Sequence, residues 1–221
     1  MCYSFEASVT ACCGLGLAGY GMVSKALHCD RRMLLFAAFP LVFAFHQLVE
    51  AGAWLTIGDW RAGQPFRFLY TLIAFALWPV LTPYAAAFAE PDPERRRLWL
   101  GMTGVGVVVA AYLAARLIAS EGIDLGVVRH SLAYDPLFDR PPLLVHFLYV
   151  TLTVIPLVAS RRRGVALFGW AVLATFVLAL VENRAAWYSV WCMAAALFSS
   201  LLALAIGERR SSKLDELQAQ R

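Results

Sequence analysis

Residues 33–57 read MLLFAAFPLVFAFHQLVEAGAWLTI. The run is long enough to cross the hydrocarbon core of a bilayer, which takes about 20 apolar residues. Its ionisable side chains are two, His46 and Glu50. Length and apolarity point to a membrane helix, and the two ionisable groups within it raise the question of function.

The rest of the chain repeats the pattern. Of 221 residues, 61% are hydrophobic and 15% charged, against about 45–50% and about 25% in ordinary soluble domains. Apolar blocks fall at residues 7–27, 33–57, 66–89, 98–120, 141–160, 164–181 and 186–207, with charges and prolines between them. Sustained apolarity without a period of two argues for helices and against a barrel. The sequence therefore predicts an all-α integral membrane protein, a seven-transmembrane-helix bundle over residues 1–207 with a short cytoplasmic tail at 208–221. The opening MCYSFE has no basic residue and no small-residue cleavage site follows the first block, so that block reads as a helix and not as a secretory signal. Its glycines Gly14, Gly16, Gly19 and Gly21 would let a neighbouring helix approach closely.

Basic residues orient the bundle. Lys25, Arg31 and Arg32, then Arg95 to Arg97, then Arg161 to Arg163, then Arg209, Arg210 and Lys213 all fall on one side of seven crossings. By the positive-inside rule that side is cytoplasmic. The N-terminus is expected outside and the C-terminus inside, in a bacterial inner membrane, with the longer segment 121–140 an outer loop. These clusters also account for the net charge of +4, so no nucleic-acid partner is implied. No phosphate-binding glycine loop, nucleophile elbow or C-x-x-C pair is present.

This topology brings polar residues to a common outer depth. His46 and Glu50, four apart, share one face of the second helix, with Gln47 beside them. The third helix opens with Arg67 and Tyr70, the fourth ends near Arg116, the fifth carries His146 and Tyr149, and the sixth ends at Glu182 and Asn183. Ionisable groups in a bilayer are costly, turn inward and mark functional sites, so these residues predict a polar cavity open to the outside. Plainer roles stand beside that one. Glu50 can pin helices by pairing with Arg116 or Arg67, His46 and Gln47 can bond between helices, and His146 can lie at the interface. Glu182 and Asn183 can occupy a solvated turn, and Trp54, Trp60, Trp187, Tyr188 and Trp191 fit an interfacial aromatic belt.

Of the five cysteines, Cys12, Cys13 and Cys192 lie within helices, where a small apolar role is expected, and Cys29 falls on the cytoplasmic side. Cys2 differs. Removal of Met1 would leave its amine and thiol together, able to hold a soft metal or to act as a nucleophile.

The start MCYSFEAS and the stretch HQLVEAGAW together resemble an uncharacterised family of bacterial multi-pass membrane proteins. Its members begin Met-Cys-aromatic-Ser and carry His-Gln-x-x-Glu in the second helix. The resemblance implies a multi-pass fold, adds weight to residues 2–4 and 46–50, and implies no known activity.

The chemistry these residues suit is metal binding. His46, Glu50, His146, Glu182 and Cys2 form a ligand set for zinc, copper or iron, with Glu50 and Cys2 the candidate catalytic groups. Gln47, Arg67, Arg116, Tyr149 and Asn183 would line the cavity. In a second version His46 and His146 are axial ligands of a b-type haem. Two further classes use the same residues without a metal. One is proton-coupled transport of a small molecule through Glu50, Glu182 and His46, with Pro40, Pro79, Pro83 and Pro156 as helix breaks. The other is a sensor or scaffold without catalysis. The expected partners are the lipid bilayer and a metal ion or small molecule.

Overall fold

The computed structural model describes residues 4–128, 130–139, 141–182 and 187–206, without the side chain of Glu182. Among the described residues, seven helical stretches overlie the seven apolar blocks, with ends that differ by up to six residues. We number them α1 (Phe5–Cys29), α2 (Arg31–Leu55), α3 (Trp60–Ala89), α4 (Pro93–Ile118), α5 (Leu143–Val158), α6 (Arg163–Glu182) and α7 (Trp187–Ala205). Six are long and apolar enough to cross a membrane, and α5 is a shorter apolar helix.

Local chemistry sets the ends. The side chains of Ser4, Asp59 and Asp92 accept from the backbone N–H groups of Ala7, Ala62 and Glu94, capping α1, α3 and α4. Pro93 follows its cap at the first helical position, where a missing N–H costs nothing. Prolines explain the irregularities. In α2 the helix pauses at Ala38 and restarts at Phe39, because Pro40 offers no donor to the preceding turn. In α3 a π-helical turn at Ile73–Leu77 precedes Pro79 and Pro83. The extra residue in that turn absorbs the clash that the Pro79 ring would make with the Phe75 carbonyl four residues back.

Small residues decide how close the helices come. A Cβ on Gly106 of α4 would lie 2.0 Å from the Pro79 carbonyl oxygen of α3, and one on Gly169 of α6 would lie 2.6 Å from the Val158 backbone nitrogen at the end of α5. Pro83 cannot donate to the Pro79 carbonyl, so that oxygen faces the bare Gly106 backbone. Of the four glycines expected to serve α1, Gly19 does so, against Leu41, while Gly14, Gly16 and Gly21 face open space.

The two ends of the bundle differ in kind. At one end Arg162 bonds Asp30 at 2.6 Å, Arg161 reaches Asp92 at 3.5 Å, and Arg95 joins Glu90 at 3.0 Å and the Ala159 carbonyl at 2.7 Å. The α1–α2, α3–α4 and α5–α6 connections thus meet at this arginine end. At the other end, the segment expected to be an irregular loop is an antiparallel hairpin, β1 (Ile123–Val128) and β2 (Ser131–Pro136), paired Ile123 to Pro136 through Val128 to Ser131. That corrects a purely helical reading. Ile123, Leu132 and Tyr134 bury one face of the hairpin against Val49, Ala53, Tyr70 and Leu117.

Between the ends lies an aromatic layer. Phe43 stacks on Trp78 at 4.3 Å, and Trp191, buried, donates its indole N–H to the Val172 carbonyl. Trp191 therefore belongs to the core and not to an interfacial belt. Trp60, by contrast, is exposed.

Candidate functional site

The site is built on the face of α2 that His46 and Glu50 share. Both are fully buried, as is Gln47 between them. A carboxylate in such a place needs donors. Glu50 has one from each side: Ser189 of α7 donates to Oε1 at 2.9 Å, and the Gln47 amide donates to Oε2 at 3.1 Å. Cys192, three residues along α7 from Ser189, is buried close enough to interact with both Glu50 and Tyr70.

His46 is held differently. Its Nε2 lies 3.1 Å from the Tyr70 carbonyl oxygen, and its ring stacks on the Tyr70 ring with centroids 4.0 Å apart. Tyr70 in turn stacks almost parallel on Tyr134 of the hairpin, also at 4.0 Å. Three rings thus run from α2 through α3 to β2. A carbonyl can only accept, so Nε2 carries the proton, and a neutral imidazole then presents Nδ1 as a lone pair. Nδ1 is buried with no partner among the described residues, and so is Oε1 of Gln47.

Tyr70 lies just before the π turn, and that turn attracts a second side chain. Tyr149 of α5 donates its hydroxyl to the Ala74 carbonyl at 2.5 Å. Pro79 has no N–H to offer the Ala74 carbonyl across the π turn, and Tyr149 binds that carbonyl, while His46 binds the Tyr70 carbonyl one turn earlier; this segment of α3 is where α2 and α5 attach.

The hairpin end is fastened by Arg67 and Gln64. Arg67, buried beneath Gly63, sends its guanidinium to the carbonyls of Thr56, Ile57 and Ile123, satisfying the C-terminus of α2. Gln64 exchanges two 3.0 Å bonds with the backbone of Ile123, as a neighbouring strand would.

The expected constellation therefore divides. His46, Gln47 and Glu50 come together, and Tyr149 lies one helix away at the same π turn. Arg67 is a fastener of backbone, and Arg116 pairs with Asp139 at 3.8 Å at the surface, so neither is the partner of Glu50. His146 is part-exposed, with Nδ1 3.3 Å from the Pro142 carbonyl of its own helix start, and no contact joins it to His46. Cys2, Asn183 and the side chain of Glu182 lie outside the described residues. Among the described residues no three His, Cys, Asp or Glu side chains gather as a metal-holding group. Ser189, Tyr134 and Gln64 were missed as site residues. A small hydroxyl inside an aromatic run, in WYSVW, was the available sign of Ser189.

The comparisons bear on family and not on chemistry. A family model described as a family of unknown function, DUF6629, matches residues 1–217. The chain belongs to that family. The match covers both the opening segment and the His46–Glu50 stretch that the resemblance rested on, and the family brings no activity with it. No curated protein and no solved structure matches the chain.

Proposed function

We propose that this chain is a multi-pass protein of the bacterial inner membrane, with its arginine end cytoplasmic. It binds a transition-metal ion at a polar site near the hairpin end, on the outer side. His46 Nδ1 is the first ligand, with Glu50 and Gln47 beside it. One observation carries the reading: the Nε2 proton of His46 is committed to the Tyr70 carbonyl, which leaves Nδ1 buried as a lone pair without a partner among the described residues. Imidazoles that ligate metals are oriented in this way, by donating the other ring N–H to a carbonyl. Imidazole and carboxylate suit zinc or iron, and the Cys2 thiolate would extend the set toward copper. An open coordination position would give the ion Lewis-acid chemistry toward a small molecule arriving from outside.

The aromatic layer favours this reading over transport. From His46 toward the arginine end the next turn of α2 presents Phe43 stacked on Trp78, and the cavity these rings help line is only about 30 Å³, room for no more than a few water molecules. Its lining is mostly apolar, with Thr82, Tyr149 and Thr153 the hydroxyl-bearing residues among it.

Elemental analysis of the protein purified in mild detergent without chelator tests the proposal. Near-stoichiometric metal is expected, lost in His46→Ala and in Glu50→Gln. Glu50→Gln keeps the shape of the side chain, so retained helical circular dichroism and a single gel-filtration peak separate loss of metal from loss of fold. A wild-type protein that holds no metal above background, as isolated and after incubation with zinc, iron or copper, overturns the reading.

A further inference from the structure

A second site stands at the arginine end, distant from His46. A cavity of about 470 Å³ opens where α2, α3, α4 and α5 converge, a volume within the range of about 300–1,000 Å³ typical of small-molecule sites. Its floor is apolar and almost fully buried, made by Phe36, Ala86 and Trp99 with Pro156. Its rim is Arg161, Arg162 and Arg163.

The ion pairs around this cavity sort the cations into two kinds. Arg162 is fixed by Asp30 at 2.6 Å and by the Ala205 carbonyl, and it holds the wall in place. Glu90, the acid on the wall, is taken by Arg95. Arg161 makes only a 3.5 Å contact with Asp92, and its side chain is 63% exposed. Arg163 is exposed and has no carboxylate partner among the described residues. The cavity therefore offers two exposed guanidinium groups above an apolar floor whose own acid is neutralised.

We infer that this cavity binds an anionic phospholipid, with the phosphate between Arg161 and Arg163 and the glycerol and upper acyl segment against Phe36 and Trp99. Guanidinium forks match phosphate oxygens in pairs. Basic pockets between membrane helices at the cytoplasmic face take acidic head groups. A free phosphate would use the rim and leave the floor without an occupant, so the lipid accounts for both parts of the cavity. The proposal is independent of the metal site.

Native mass spectrometry of the full chain, titrated with phosphatidylglycerol, phosphatidylcholine or inorganic phosphate, tests it. Phosphatidylglycerol is expected to bind in preference to phosphatidylcholine. The Arg161→Ala/Arg163→Ala double variant should weaken that binding about tenfold or more, given about 1 kcal/mol for each basic residue near an acidic lipid surface. Arg97→Ala, an exposed arginine outside the cavity, serves as the control and should bind as the wild type does. Equal binding of phosphatidylcholine, undiminished binding by the double variant, or occupancy of the same arginines by inorganic phosphate without preference for the lipid would each overturn the assignment. Arg161 and Arg163 are surface residues, so an unchanged unfolding midpoint in the double variant shows that any loss is of binding.

Discussion

Glu50 is a carboxylate with no exposed surface, and Ser189 and Gln47 supply its visible donors. Removing one donor from a buried acceptor costs more than the bond itself contributes, because the group left behind stays desolvated. Ser189→Ala is therefore expected to lower stability by about 1–3 kcal/mol, read from unfolding of the purified protein in mixed micelles. No change beyond a few tenths would mean that Ser189 is not what holds Glu50. Tyr149→Phe removes a single hydroxyl from the Ala74 carbonyl. Its expected cost is about 0.5–1.5 kcal/mol by the same measurement, and an unchanged midpoint would show the π-turn carbonyl satisfied without it.

At the scale of the element, α3 is the helix on which the others depend. Its π turn and its prolines break the regular ladder, and two neighbours use the break, Tyr149 on Ala74 and Gly106 on Pro79, while His46 binds the Tyr70 carbonyl one turn before it. The Gly106 contact has a built-in control two residues away. Gly106→Ala puts a Cβ against a backbone carbonyl that cannot retreat, so destabilisation of about 1–3 kcal/mol is expected from overpacking. Gly104→Ala meets nothing within 4 Å, and it should be neutral or stabilising by up to about 1 kcal/mol through helix propensity. Equal effects of the two substitutions, measured side by side, would remove the close α3–α4 approach from the account.

Considered whole, the molecule gathers three of its four described ion pairs at one end. Arg31, Arg95 and Arg161 to Arg163 lie with Asp30, Asp92 and Glu90 at one end, while the hairpin and Arg67 close the other. The orientation we propose predicts that, in a Cys2→Ser background, exposed Cys29 reacts with a membrane-impermeant thiol reagent in inverted vesicles and stays unlabelled in intact spheroplasts. In a Cys2→Ser/Cys29→Ser background, Asp124→Cys in the exposed part of the hairpin should give the opposite pattern. Labelling of both positions from the same side would refute the crossing number or the fold of the hairpin end.

Much of the architecture was legible in the chain itself. Apolar length marked seven helices, and the arginine triplets marked the connections that share an end, because both are properties of short stretches. The hairpin was legible too, although it was read as a loop: Ile123, Leu125 and Val127 alternate with polar or small neighbours, and Leu132 and Tyr134 repeat the period. Its fastening by Gln64 and Arg67 depends on side chains more than fifty residues distant. The same divide runs through the site. The four-residue spacing put His46 and Glu50 on one face of α2. Only the tertiary structure brought Ser189 to Glu50 across 139 residues, sent Arg116 to Asp139, and left His146 on its own helix. The physical reason is that periodicity records which face of a helix is buried, whereas the identity of its neighbour depends on where backbones can touch. Here that was decided by bare glycines and by the carbonyls that prolines leave open.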